Sequence, residues 1–128
     1  MRHQPDFTRI KKYIGRPYEA TNCFEIVREF YLGEFNLEVK QYYSGCTPKD
    51  KEVEALIQTN RGDFIRVEEP QFGDILLIKL KGVECHLGIY IQKETFLHSI
   101  KGTGSVLDKV EKYKNLIVGY YRHRGFTT

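Results

Sequence analysis

The order of patterns along the chain predicts an α+β fold, with helices first and an antiparallel meander after Gly73. Two stretches carry that expectation. In Asn22-Cys23-Phe24-Glu25-Ile26-Val27-Arg28-Glu29-Phe30-Tyr31, apolar or small residues recur at Cys23, Ile26, Val27, Phe30 and Tyr31, the spacing of a helix with one buried face. After Gly73 the period shortens. Residues 74–80 (DILLIKL), 85–91 (CHLGIYI) and 95–100 (TFLHSI) are short apolar or alternating runs separated by polar breaks, which is how strands joined as hairpins read. A length of 128 residues suits one domain, 1–128, that buries a core without disulfides.

Taken in order, residues 5–13 (PDFTRIKKY) place Phe7, Ile10 and Tyr13 at helical spacing, and Gly15 with Pro17 ends that short opening helix. The main helix begins at Asn22, a favoured N-cap, with Glu25 three residues on, and is expected to stop at Gly33. Residues 41–60 are polar, with a turn at 45–48 and a short helix over 50–57. Residues 64–67 (FIRV) form a short alternating run, a turn at 81–82 links the first two strands of the meander, and 116–124 (LIVGYYRHR) reads as a further strand. Residues 107–113 are compatible with a short helix or another strand.

Composition narrows the function. Hydrophobic residues at 41% and charged residues at 29% are a globular balance, and no apolar run is long enough to span a membrane. A net charge of +3, spread along the chain, gives no nucleic-acid footprint. The start, MRHQPDFTRIKKYIG, lacks the apolar core of a secretory signal, so synthesis is expected to end in the cytoplasm unless export takes another route. Three cysteines, Cys23, Cys46 and Cys85, are an odd count without CxxC spacing, which argues against a disulfide framework or zinc knuckle and for reduced thiols. The glycines of KGTGS lack the lysine and strand-to-helix setting of a phosphate loop, and no cofactor is expected.

The chemistry gathers at one thiol and two imidazoles. Cys23 in the first turn of a helix feels the unpaired N–H groups and the positive dipole end, which favour thiolate; the competing reading is a buried cysteine packed as a small hydrophobe. Alternation along 85–91 puts Cys85, Leu87, Ile89 and Ile91 on one face and His86, Gly88 and Tyr90 on the other. In 95–100, Phe96, His98 and Ile100 share a face, so hairpin pairing can bring His98 alongside His86. A cysteine and two histidines then converge. A Cys-His-His zinc site has compatible ligands without the local ligand spacing, so no metal is expected.

The ordered set Gly-x-Pro-Tyr, Asn-Cys opening a helix, Pro-x-x-Gly-Asp-Ile-Leu-Leu, His-Leu-Gly-Ile-Tyr and Phe-Leu-His resembles the NlpC-type cell-wall endopeptidases, papain-like cysteine peptidases that cut peptidoglycan stem peptides. It extends from about Gly15 to Arg124. The FEIVREFY that follows Cys23 and the closing Gly-Tyr-Tyr-Arg-His-Arg are closest to members carried by tail proteins of long-tailed bacteriophages. The resemblance implies a papain-like fold, N-terminal helices packed on a central antiparallel sheet, with Cys23 as nucleophile, His86 as general base and His98 as the residue that orients it. It further implies Tyr18 beside the thiol, the backbone N–H of Cys23 in the oxyanion hole, a thiolate–imidazolium ion pair, and a peptidoglycan peptide cut between D-glutamate and the diamino acid in an open groove. Asn22 departs from the aspartate usual in the family, and Asp74 is read as structural. Partners on this reading are peptidoglycan and other tail proteins, and the place of action is the virion or the cell wall. Two other functions use the same residues: a silent tail or adaptor module, and a thiol acyltransferase or deamidase.

Overall fold

The computed structural model of the chain describes residues 4–39, 64–80 and 83–126. The helix expected over 50–57, the turns at 45–48 and 81–82, Cys46 and the side chain of Cys85 lie outside them. Asp6 caps the first helix, its Oδ1 accepting from the Thr8 N–H at 2.9 Å. Helix α1 (Phe7–Ile10) tightens into a 3₁₀ turn over Lys11–Tyr13 and buries Ile10 and Tyr13 as their spacing predicts, but Phe7, the third residue of that spacing, is 46% exposed.

Helix α2 (Cys23–Phe35) opens where expected, because Asn22 Oδ1 accepts from the N–H groups of Phe24 at 3.1 Å and Glu25 at 2.9 Å. It does not stop at Gly33. A Cβ there would lie 2.3 Å from Tyr13 Oη, so this glycine serves a close approach inside the helix. Tyr13 Oη donates to the buried carboxylate of Glu34 at 2.9 Å, and Arg9 meets the same group at 2.9 Å, which ties the opening turns to the far end of α2. The helix ends instead at Asn36, in the left-handed region at φ 54°, with its N–H on Leu32 O.

The strands are β1 (Phe64–Val67), β2 (Ile75–Leu80), β3 (Val83–Gln92), β4 (Thr95–Ile100), β5 (Gly104–Lys109) and β6 (Ile117–His123). Every pairing is antiparallel, and the order across the sheet is β1-β6-β2-β3-β4-β5. The meander from β2 to β4 is the one the hairpin spacing predicts, and β5 extends it, beginning at Gly104 ahead of the 107–113 stretch. The last strand crosses back to lie between β1 and β2. Residues 107–113 satisfy both sequence readings, as strand to Lys109 and as a 3₁₀ turn over Val110–Tyr113.

Alternation decides what each face of the sheet buries. Leu87, Ile89, Ile91 and Leu97 pack with Phe24, Ile26, Val27, Phe30 and Tyr31 of α2, while Leu76, Ile78, Tyr90 and Phe96 form a second cluster with Val110. Burying each of those large side chains is worth about 1.5–3 kcal/mol against leaving it in water, so α2 is anchored along its length. The outer edge of β5 is covered by the chain leading to α2: Gly15 N–H donates to Ser105 O at 2.8 Å and Ser105 N–H to Arg16 O at 2.9 Å. Gly104, at φ +93°, permits that contact, since a Cβ would sit 2.5 Å from Arg16 O. That is the role of the glycine that follows Thr103.

Asp74 has a structural role, in line with the reading that the family resemblance supports. Its fully buried carboxylate accepts from Arg122 Nη2 at 2.8 Å and Nε at 3.1 Å, and from the Gln71 N–H at 2.7 Å, locking β2 to β6. Among the described residues no helix is long and apolar enough to cross a membrane.

Candidate functional site

Three local features deliver the site. The N-cap of α2 fixes Cys23, and the chain just before it is held to the sheet where Ser99 Oγ donates to Thr21 O at 2.6 Å. Tyr18 stands half-buried in the preceding turn, in which the N–H groups of Ala20 and Thr21 close on Pro17 O at 3.2 and 2.9 Å. The third feature is the neighbouring strands β3 and β4, which carry His86 and His98.

The two imidazoles meet as their alternation predicts. His86 Nε2 lies 2.8 Å from His98 Nδ1, with the rings close to perpendicular at 69°. Cα pairing of β3 with β4 runs from Gln92↔Thr95 to Ile89↔Leu97, so both histidines sit past its last pair, at the end where Ser99 holds Thr21. Gly88, two residues on from His86, gives space as the sequence suggests, and the Phe96 ring uses it. A Cβ there would fall 2.6 Å from the Phe96 ring, which in turn stacks on His98 with centroids 4.4 Å apart.

Burial sets the protonation. His86 is 3% exposed and His98 0%, and desolvation, followed by the neighbouring His98, pushes the His86 pKa down from 6.5 to about 3. His98 is also lowered by burial, against the partly compensating hydrogen bond and charge of Asp108. Burial and the neighbouring imidazole thus favour the neutral form of His86. Cys23 has no exposed surface either, where an open groove is expected at the thiol.

A neutral buried histidine has a consequence for stability. Unfolded, it takes a proton near pH 6.5; folded, only near pH 3, so between these values the unfolded chain binds more protons and stability falls as the pH drops. Lowering the pH from 6.5 to 4.5 is expected to cost about 2–3 kcal/mol through this group, at about 1.4 kcal/mol per unit. Chemical denaturation of wild type and His86→Gln at both pH values checks it: equal acid losses in the two proteins would remove His86 as the cause.

One residue of the site escaped the sequence reading. Asp108, on β5, is paired with Phe96 in register and so shares a face with His98 one step along the ladder, and its Oδ2 lies 3.2 Å from His98 Nε2. Burial works upward on its pKa but is outweighed by the hydrogen bonds from His98 and the Lys109 N–H, leaving the carboxyl below its ordinary range. Lys112 Nζ at 3.5 Å and Tyr113 Oη at 3.4 Å face the same oxygen. The signal available in the sequence was an acid in the alternating run of β5, and it could be used only with the β4–β5 register known. Among the described residues no three His, Cys, Asp or Glu side chains are grouped to hold a metal ion.

Helix α2 opens on Cys23 and packs on an antiparallel sheet whose adjacent strands β3 and β4 carry linked histidines, an α+β arrangement with one thiol and two imidazoles as its candidate chemistry. The family model of the NlpC/P60 family matches residues 12–122, and the chain belongs to that family and is a cysteine peptidase by that membership. Among curated proteins none matches. The fold is similar to the NlpC/p60 domain of the peptidoglycan hydrolase SagA, at TM-score 0.63 and 18% identity over 91% of this chain and 94% of that one. It is similar also to a lipoprotein-like protein of the NLP/P60 family from Staphylococcus aureus subsp. aureus Mu50, at TM-score 0.59 and 18% identity, where it spans 91% of this chain but 39% of that one.

Proposed function

We propose that the protein hydrolyses the peptide stems of peptidoglycan, with Cys23 as nucleophile, His86 as general base and His98 as the residue that orients it. The observation that carries this reading is the His86 Nε2 to His98 Nδ1 contact of 2.8 Å in a chain of the NlpC/P60 family whose α2 opens on Cys23. Because His98 occupies Nε2, Nδ1 is the nitrogen of His86 that serves a thiol. The two histidines meet past the end of the β3–β4 pairing, where Ser99 holds Thr21 of the chain leading to Cys23, and this supports a site at that end of the sheet.

The chemistry follows from a neutral pair. Cys23 Sγ–H gives its proton to His86 Nδ1 as sulfur attacks the amide carbonyl, so charge is created during attack and not stored beforehand. The oxyanion forms beside the N–H groups at the helix start, that of Cys23 included. The imidazolium then protonates the departing amine, and water, deprotonated by the same nitrogen, releases the acyl group and restores the thiol. Tyr18 lines the approach to the sulfur. No metal or organic cofactor takes part in these steps.

The bond is the one between D-glutamate and the diamino acid, as the family resemblance implies, and delivery to the wall is by a phage tail, a reading supported by FEIVREFY after Cys23 and by the Gly-Tyr-Tyr-Arg-His-Arg close. Digestion of purified peptidoglycan is expected to yield new amino termini on stem fragments, identified by mass spectrometry, with the glycan strands intact. Release of sugar reducing ends without new amino termini would refute the assignment, and transfer of the acyl group to an added amine in preference to water would reclassify the enzyme as an acyltransferase. Absence of the chain from purified virions of a phage that encodes it would remove the tail from this account.

A further inference from the structure

We infer that Asp108 is a positioning residue that selects which nitrogen of His86 carries the proton, acting through His98. The inference rests on the reading of His86 as general base. A pair of neutral imidazoles joined Nε2 to Nδ1 has two arrangements. Either His86 Nε2–H donates to His98 Nδ1, or His98 Nδ1–H donates to His86 Nε2. Only the first leaves a lone pair on His86 Nδ1, where a thiol proton must go; in the second that nitrogen already bears hydrogen. The contact at 2.8 Å is compatible with both.

Asp108 removes the ambiguity. An ionised carboxylate only accepts, so at 3.2 Å from His98 Nε2 it requires hydrogen on that nitrogen. His98, neutral and protonated at Nε2, then presents a bare Nδ1 and takes the hydrogen bond from His86 Nε2–H. The remaining groups around the carboxylate enforce its role as acceptor. Oδ1 takes the Lys109 N–H at 3.1 Å, and Lys112 Nζ at 3.5 Å and Tyr113 Oη at 3.4 Å face Oδ2. All are donors, supplied by β5 and the 3₁₀ turn that follows it; β4 supplies His98. Neither Phe96 nor the Tyr113 ring, which flank His98, offers an acceptor that could reverse the order.

Substitution separates this role from a merely structural one, because the shape-conserving change should be the worse of the two. In Asp108→Asn, made in a Lys112→Met, Tyr113→Phe background that removes the two donors facing the same oxygen, the amide oxygen stays on the Lys109 N–H and the NH₂ faces His98, which must then accept at Nε2 and donate from Nδ1. The whole chain reverses. Asp108→Ala only releases the constraint. We expect kcat to fall about tenfold in Asp108→Ala, as for loss of one hydrogen bond to a charged group, and about a hundredfold or more in Asp108→Asn, approaching loss of the base itself, with KM little changed in either. Nitrogen-15 NMR of the imidazole rings reads the same switch without activity. Wild type should show His86 protonated at Nε2 and bare at Nδ1, and Asp108→Asn the opposite. A wild-type His86 protonated at Nδ1, or an Asp108→Asn spectrum with unchanged tautomers, overturns the inference. An enzyme inactive on peptidoglycan that shows the expected tautomer switch would refute the proposed base role alone and leave the control by Asp108 standing.

Discussion

His86→Ala is expected to abolish most turnover of peptidoglycan, with kcat down by about 10² to 10⁴, the contribution of a positioned general base. Without the imidazole, nothing takes the thiol proton from Cys23 as sulfur attacks the carbonyl. Cys23→Ala should lose as much, because the two groups act as a unit and their losses are not additive. His98→Gln should keep a measurable fraction: the amide oxygen can still accept from His86 Nε2–H, although the link to Asp108 is lost. Thermal unfolding of each variant guards against loss through misfolding. Turnover near wild type in His86→Ala, with the variant folded, would end the assignment of the base.

The largest effect on stability is expected far from that chemistry, at Arg122. Its guanidinium holds the Asp74 carboxylate through Nη2 at 2.8 Å and Nε at 3.1 Å, and Asp74 has no exposed surface. Arg122→Ala strips a buried anion of its counter-charge, which costs about 3–5 kcal/mol even where the intact pair adds little net stability. The joint change Asp74→Leu with Arg122→Met removes both charges and should recover much of the loss. Urea denaturation of the three proteins gives the answer in the midpoint, with unchanged slope showing that the unfolding reaction is the same. A loss below about 1 kcal/mol in Arg122→Ala would mean that water or local rearrangement compensates Asp74, and that the lock between β2 and β6 is not its role.

Much of the site was legible because it depends on local geometry. An N-cap followed by a 3.6-residue period places Cys23 at the start of a helix whatever the helix packs on, and Asn22 fulfils that role with two N–H groups on its side chain. Period-two alternation puts His86 and Gly88 on the face opposite Leu87 and Ile89, and hairpin spacing makes β3 and β4 neighbours, which is enough to bring two imidazoles together. Gly33 misled for the converse reason. A glycine near a helix end reads as a stop, and only the Tyr13 hydroxyl packed against it shows why the helix continues to Phe35.

The sequence by itself determined the elements, the capped cysteine, the side of the sheet on which each histidine stands and the membership of a fold class. Tertiary structure decided the rest: the insertion of β6 between β1 and β2, the grip of Arg122 on Asp74, the neutrality of His86, and the reach of Asp108 to His98. The division has a physical cause. Periodicity reports the geometry of one element and its immediate hairpin partner, whereas strand order, register and desolvation are set by contacts between residues tens of positions apart, so a buried charge acquires its partner, and an imidazole its proton, only when the whole sheet has closed around them.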